Sequence, residues 1–152
     1  MNEIDHLQRA LTAQLLQAGR QWRRIAGQEL EALGISEACA APLLWTSRLG
    51  EGVRQVTLAG HIGIEGASLV RLLDQLASSG LIERRDDPTD RRAKTIWLTK
   101  TGRNLAGRIE TILVTLRGQV LADISTSDIE VALRVLKAFD GAPVPAPEEV
   151  LS

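Results

Sequence analysis

Apolar residues at Ile4, Leu7, Leu11, Leu15, Ala18, Trp22 and Ile25 recur at steps of three and four, the spacing of one stripe on an α-helix. The pattern predicts a helix over residues 3–33, ended by Gly34. At 1.5 Å per residue, such a helix reaches roughly 45 Å. A compact globule of this length has a radius of gyration of roughly 15 Å and a diameter of about 38 Å. The helix therefore overhangs its own domain and its stripe needs a partner, most simply a second copy of the chain around a two-fold axis. Leu105, Ile109, Ile112, Leu116, Val120 and Ile124 repeat the pattern further on. Ser127 is placed to cap a last helix through Ile129, Leu133, Leu136 and Phe139. Segments 3–33 and 103–140 thus read as one dimerisation module, with an intramolecular bundle that buries both stripes as the alternative.

The stretch 36–102 between them has a different texture. Ser36 can cap a helix through Leu43, Leu44 and Ser47, broken by Gly50 and Gly52. From Leu58 the chain reads L-A-G-H-I-G-I-E-G-A-S-L-V-R-L-L-D-Q-L. Small Ala59 lets two helices approach, Gly63 can take the positive φ of a tight turn, and Leu58, Ile62, Leu69 and Leu72 supply a shared core. That is helix-turn-helix spacing. In its second helix Leu69, Leu72, Leu73 and Leu76 share one face, which turns Ala67, Ser68, Arg71, Asp74, Gln75 and Ser78 outward. Small residues first and an arginine one turn later suit a helix that enters the DNA major groove by its N-terminal end. An α-hairpin that only packs against its neighbours is the bland alternative.

Gly80 stops that helix, and Leu81–Arg85 and Lys94–Leu98 form two strand-like runs around a charged turn, Asp86-Asp87-Pro88-Thr89-Asp90-Arg91-Arg92. Ile82, Ile96 and Leu98 can face a core, while Arg85, Lys94 and Trp97 alternate outward or to the sheet edge. The hairpin reads as a wing whose tip sets Arg91 and Arg92 beside Asp90, and a guanidinium held by a carboxylate is aimed before it meets a narrow A·T minor groove. A solvated turn is the competing reading. Calcium does not fit, because the loop lacks the glycine and distal glutamate of an EF-hand and arginines crowd it.

Composition narrows the classes. Of 152 residues, 44% are hydrophobic and 24% charged, a globular balance. No run approaches the roughly 20 apolar residues of a membrane span. The first ten residues lack the layout of a signal peptide, so a cytoplasmic protein with no membrane partner is expected. One cysteine, Cys39, excludes an internal disulfide and a thiolate metal cage; with only alanines beside it and no cation to activate it, it reads as a small buried hydrophobe. Net charge is −1, yet residues 54–103 carry 9 basic and 6 acidic side chains between acidic flanks, a basic face on an acidic scaffold. No nucleophile elbow, phosphate-cradling glycine loop or zinc-binding HExxH is present, so neither catalysis nor a cofactor nor a metal is expected. Residues 141–152 hold three of the five prolines and Glu148-Glu149, and read as a flexible acidic tail.

The run G-I-E-G-A-S-L-V-R-L-L-D-Q-L with D-R-R-A-K-T-I-W-L-T resembles the MarR family of transcription regulators, and within it the SlyA-like branch. Asp90, Arg92, Leu98 and Thr99 fall in register with the family's wing signature, and the motif match spans about Thr57 to Gly102. The resemblance implies a mainly α fold. It would be one domain over 1–140, comprising a winged helix-turn-helix lobe with a small β-hairpin wing, flanked by terminal helices that form a homodimer. It implies double-stranded DNA as partner through a pseudo-palindromic operator, with Arg92 in the minor groove and the helix of Ser68 and Arg71 in the major groove. The DNA-contact residues expected are Ala67, Ser68, Arg71, Gln75, Arg91, Arg92 and Lys94, with Asp90 orienting the wing tip. Ala67 stands where relatives often have proline. Relatives also respond to small aromatic carboxylates, and Arg20, Trp22 and Arg23, with Trp45 and His61, are the residues here that resemble such a pocket. The reading is a DNA-binding regulator, most simply a repressor released by its ligand. The alternative is a helical adaptor that keeps the fold for protein contacts without DNA binding.

Overall fold

The computed structural model describes residues 1–143, and the chain divides into two compact units, residues 1–116 and 117–152. Helix α1 (Glu3–Glu31) opens on a capping box, in which the Asn2 side chain accepts from the Asp5 amide and Asp5 accepts from that of Asn2. The expected stripe splits along its length. Ala26 and Leu30 are buried and Trp22 and Ile25 are half-buried, whereas Ile4, Leu7 and Leu11 are 53, 60 and 42% exposed. Gly34, at φ 73°, ends the segment as expected. Ser36 then caps α2 (Glu37–Leu49) by accepting from the Cys39 amide at 3.2 Å.

The lobe follows as β1 (Val53–Arg54), α3 (Gln55–Ile62), α4 (Gly66–Ser78), β2 (Ile82–Asp86), β3 (Lys94–Leu98) and the long α5 (Lys100–Val120). The expected hairpin of two strands is a sheet of three, ordered β1-β3-β2 and antiparallel throughout. The extra strand is too short to show periodicity. It exists because β3 would otherwise present an unpaired edge to Val53 and Arg54, which pair with Ile96 and Thr95. Gly52 makes this approach possible: at φ 90° its amide donates to the Ile96 carbonyl, and a Cβ there would meet the Trp97 ring at 3.0 Å.

One core serves the lobe. Leu43 of α2, Leu58 of α3, Leu69 and Leu73 of α4, Ile96 of β3 and Ile109 of α5 have no exposed surface. Each contributes roughly 1.5–3 kcal/mol of burial free energy. Ile82 and Leu98 join them as the wing pattern predicted, and Trp97 is half-buried. The root of α5 is fixed by Thr99, whose amide donates to Leu81 O and whose hydroxyl donates to Gly80 O and accepts from the Gly102 amide. The Leu-Thr of the wing signature therefore ends a strand and caps the next helix.

In the second unit, α6 (Thr126–Lys137) is capped by Ser125, not by Ser127 as expected. Ser125 has the extended backbone a cap needs, and its hydroxyl accepts from the Asp128 amide at 3.1 Å; Ser127 is already inside the first turn. No side chain of α6 is buried, and Val131, Leu133, Leu136 and Phe139 are 40–55% exposed. The N-terminal part of the α1 stripe is thus largely exposed, and so are the apolar residues of α6. Of the expected tail, Gly141–Pro143 are exposed and 144–152 lie outside the described residues. No single described helix is long and apolar enough to cross a membrane.

Candidate nucleic-acid interface

The α3–α4 pair has the geometry its spacing predicted. Gly63 ends α3 in the left-handed conformation (φ 79°, ψ 35°), its amide closing on Ala59 O, and the helix axes turn by 107°. Leu69, Leu73 and Leu76 bury one face of α4, and Leu72 is half-buried at its margin. Ala67 and Arg71 are exposed and Ser68 is half-buried, while Glu65 at the N-cap makes no side-chain capping bond to the first turn. Gln75 is exposed too, but its Oε1 accepts from the Cys39 Sγ at 3.2 Å. Cys39 is therefore not the buried small hydrophobe expected: it is half-buried and bound to α4. Asp74 meets Arg84 of β2 at 2.6 Å, a tie between helix and wing that sequence reading did not propose.

The wing is closed at two levels. At its mouth Lys94 pairs with Asp86 across the last strand rung. Beyond that, Asp87 N donates to Ala93 O, and Ala93 N to Asp90 O. Asp90 in turn accepts from the Arg92 amide at 3.0 Å, with the Arg92 Nε at 3.8 Å. The Arg92 side chain is 96% exposed, and Arg91 and Lys94 are exposed beside it. At the root, Asp87 is buried and accepts three bonds: from Thr89 Oγ1 at 2.7 Å, from Thr89 N at 2.8 Å and from Arg54 Nε at 2.8 Å. The Thr89 hydroxyl and amide, then the Arg54 guanidinium, stabilise its carboxylate and hold its pKa down to about 2. Arg85 stacks over the Trp97 ring at 4.4 Å, and Trp97 Nε1 donates to Thr95 Oγ1. The Asp-Pro-Thr turn hinted at the Asp87–Thr89 half of this root. Nothing local pointed to Arg54, 33 residues away.

The five expected ligand residues form two groups. Arg20 is exposed on α1, and Trp22 is packed half-buried against the core. Arg23 lies 3.8 Å from Glu37 and lines an open groove of about 500 Å³ with Arg24, Gln28, Ile35 and Ser36. Trp45 and His61 instead pack against each other, ring centroids 5.3 Å apart and planes tilted by 36°, with Arg48 over Trp45 and forked onto Glu110. Glu37, beside Arg23, and Trp45 are separated by two turns of α2, about 12 Å along the helix axis.

The family model for MarR regulators matches residues 43–94, from the middle of α2 to the start of β3. The crystal structure of a transcriptional regulator, PA3341, is 37% identical over 87% of this chain and 99% of its own, with a TM-score of 0.77. The chain belongs to the MarR family. Two further structures share this fold at lower identity. CouR from Rhodococcus jostii RHA1, solved with p-coumaroyl-CoA, is 24% identical over 90% of this chain and 95% of its own, at a TM-score of 0.79. S. aureus MepR in complex with DNA is 22% identical over 86% of this chain and 97% of its own, at 0.75. The expected winged-helix architecture of a MarR protein is thus present, mainly helical with a small antiparallel sheet.

Proposed function

We propose that this MarR-family chain is a homodimeric, sequence-specific transcriptional regulator of the SlyA-like branch that binds duplex DNA in the cytoplasm. It acts by binding, with no catalytic step, cofactor or metal. The observation that carries the reading is the wing tip: the Arg92 backbone is fixed by its amide bond to Asp90, and its side chain, 96% exposed with Nε 3.8 Å from the same carboxylate, projects from that fixed point. An exposed arginine on a fixed turn, beside a carboxylate, suits insertion into a narrow, electronegative A·T minor groove. Ala67 and Ser68 at the uncapped start of α4 permit close approach to the major groove, where Arg71 can fork onto guanine O6 and N7. Gln75 and Lys94 extend that contact surface along the helix and the wing.

The uncovered apolar faces of α1 and α6 support the dimer, since patches of this kind on a small domain mark an interface. Two lobes related by a two-fold axis then read a pseudo-palindrome. We also propose that the protein is a repressor released by a small anionic or aromatic carboxylate ligand. Its seat is the groove lined by Arg23 on the helix that also carries Arg20 and Trp22, where a guanidinium can fork a carboxylate, with Trp45 of α2 and His61 of α3 responding to it. CouR, solved with an acyl-CoA, shows a related fold holding an organic ligand. Such a ligand acts only through tighter binding to the DNA-incompetent state; a thousandfold loss of operator affinity needs about 4 kcal/mol of that preference.

The test is binding of the purified protein to DNA upstream of its own gene at two salt concentrations, with and without a panel of aromatic carboxylates, alongside sedimentation of the free protein. Tight, salt-sensitive, sequence-selective binding by a dimer supports the reading, and its loss with one acid gives the effector class. Binding only at the non-specific level refutes it and leaves the adaptor.

A further inference from the structure

The root of the wing and the start of α3 enclose a cleft of about 180 Å³ lined by Arg54, Gln55, Val56, Arg92, Ala93 and Lys94. Three of the six are cations, and they come from two elements far apart in sequence. Arg54 is the best fixed of them. Its Nε is held by the buried Asp87 at 2.8 Å and its Nη2 by Thr89 Oγ1 at 3.3 Å. The Nη1 group makes no hydrogen bond among the described residues, and the side chain is 46% exposed. A guanidinium used along one edge and open along the other presents a rigid fork of donors to an incoming anion. Lys94 and Arg92 stand at the rim, on carboxylates that are themselves exposed.

We propose that this cleft seats one backbone phosphate of the operator, with Arg54 as the phosphate-binding residue and Asp87 and Thr89 as the groups that aim it. The inference rests on the DNA-binding reading above and adds to it a contact that carries no base information. Its consequence is geometric. The wing and the first helix of the helix-turn-helix grip the same phosphate, so the depth at which Arg92 enters the minor groove is set from the protein's own core. Base edges are then read by Arg71 and Arg92 from a register the cleft imposes.

The experiment measures operator affinity from 50 to 200 mM salt for the full-length protein and for Arg54→Gln, Arg54→Lys and Asp87→Asn. It uses the operator and an unrelated duplex of equal length. A lost phosphate contact lowers the salt slope by about 0.9 for each bound protomer, so the gap between wild type and Arg54→Gln narrows about 3.5-fold per protomer over that range. Arg54→Gln should weaken both duplexes alike and leave base preference unchanged. Arg54→Lys should recover the slope, because it keeps the charge, and only part of the affinity, because it loses the fork. Asp87→Asn should keep the slope and weaken binding through poorer aim. Thermal melts of each variant separate these effects from unfolding. If Arg54→Gln, folded, keeps the wild-type slope while Arg92→Ala weakens operator binding, the cleft is not a phosphate seat and the regulator reading stands. If the wild type itself shows no salt-dependent DNA binding, both readings fall.

Discussion

Gly102→Ala should be among the most damaging single-methyl additions in this protein. A Cβ on Gly102 would sit 1.9 Å from Leu81 O and 3.0 Å from Leu81 C. Carbon and oxygen without a covalent bond approach to about 3.3 Å at closest, so the start of α5 and the α4–β2 corner must separate by about 1.4 Å. That distance is enough to break the bond from Thr99 N to Leu81 O and the one from Thr99 Oγ1 to Gly80 O, now 3.1 and 2.7 Å. Two hydrogen bonds at about 1 kcal/mol each, with 1–3 kcal/mol of overpacking, exceed the gain of less than about 1 kcal/mol from replacing a helical glycine. The net expectation is about 3 kcal/mol, or a fall in Tm of about 6–12 °C for a chain of this size. Gly107→Ala is the control: it lies in the same helix, an added Cβ meets nothing within 4 Å, and it should stabilise by about 0.5–1 kcal/mol. Urea and thermal unfolding at one fixed protomer concentration measure both. A Gly102→Ala protein within 1 kcal/mol of wild type would refute the reasoning, because no rotamer can move a backbone carbonyl out of the way.

The other predictions concern the interface and its acid dependence. Arg92→Ala should cost about 1–3 kcal/mol at an A·T-rich operator and less on G·C-rich duplex, read by competition binding. Arg71→Ala should relax base preference at one position per half-site, seen by selection from a randomised duplex; an unchanged preference would remove Arg71 from the readout. Asp87 has a pKa held near 2 against an ordinary 3.8, so the stability it contributes is present above about pH 4 and is lost as pH falls toward 2. Acid titration of wild type against Asp87→Asn should therefore converge below pH 2 and separate above pH 4, whereas a constant separation across that range would show that ionisation of the buried carboxylate contributes nothing to folding.

Much of this molecule was legible because its signals are local. A three-and-four stripe, a serine before a helix and a glycine at a turn need only their neighbours in sequence, so α1, α2, the α3–α4 pair and the wing strands fall close to their expected places. Ser125 replaced Ser127 as a cap because either hydroxyl reaches an amide three residues on, and only backbone conformation chooses between them. Strand β1 escaped notice because two residues carry no period, and its pairing is decided by the open edge of β3. The candidate interface divides the same way. Arg71, Arg91 and Arg92 could be named from pattern, since an arginine on the polar face of a helix or at a hairpin tip is exposed by its position alone.

The sequence by itself determined which segments are helix, turn and wing, and which faces of α1 and α6 are left wanting a partner, since period and composition depend only on residue order. Tertiary structure alone decided the remainder. It brought Arg54 onto Asp87 across the sheet, Cys39 onto Gln75 between α2 and α4, and Gly102 under the Leu81 carbonyl. It also set Arg23 beside Glu37 and Trp45 beside His61, contacts that cross from one helix to another. Those pairings depend on how elements pack, through distances set by side-chain volumes and backbone carbonyls far along the chain, and no window of sequence contains both partners.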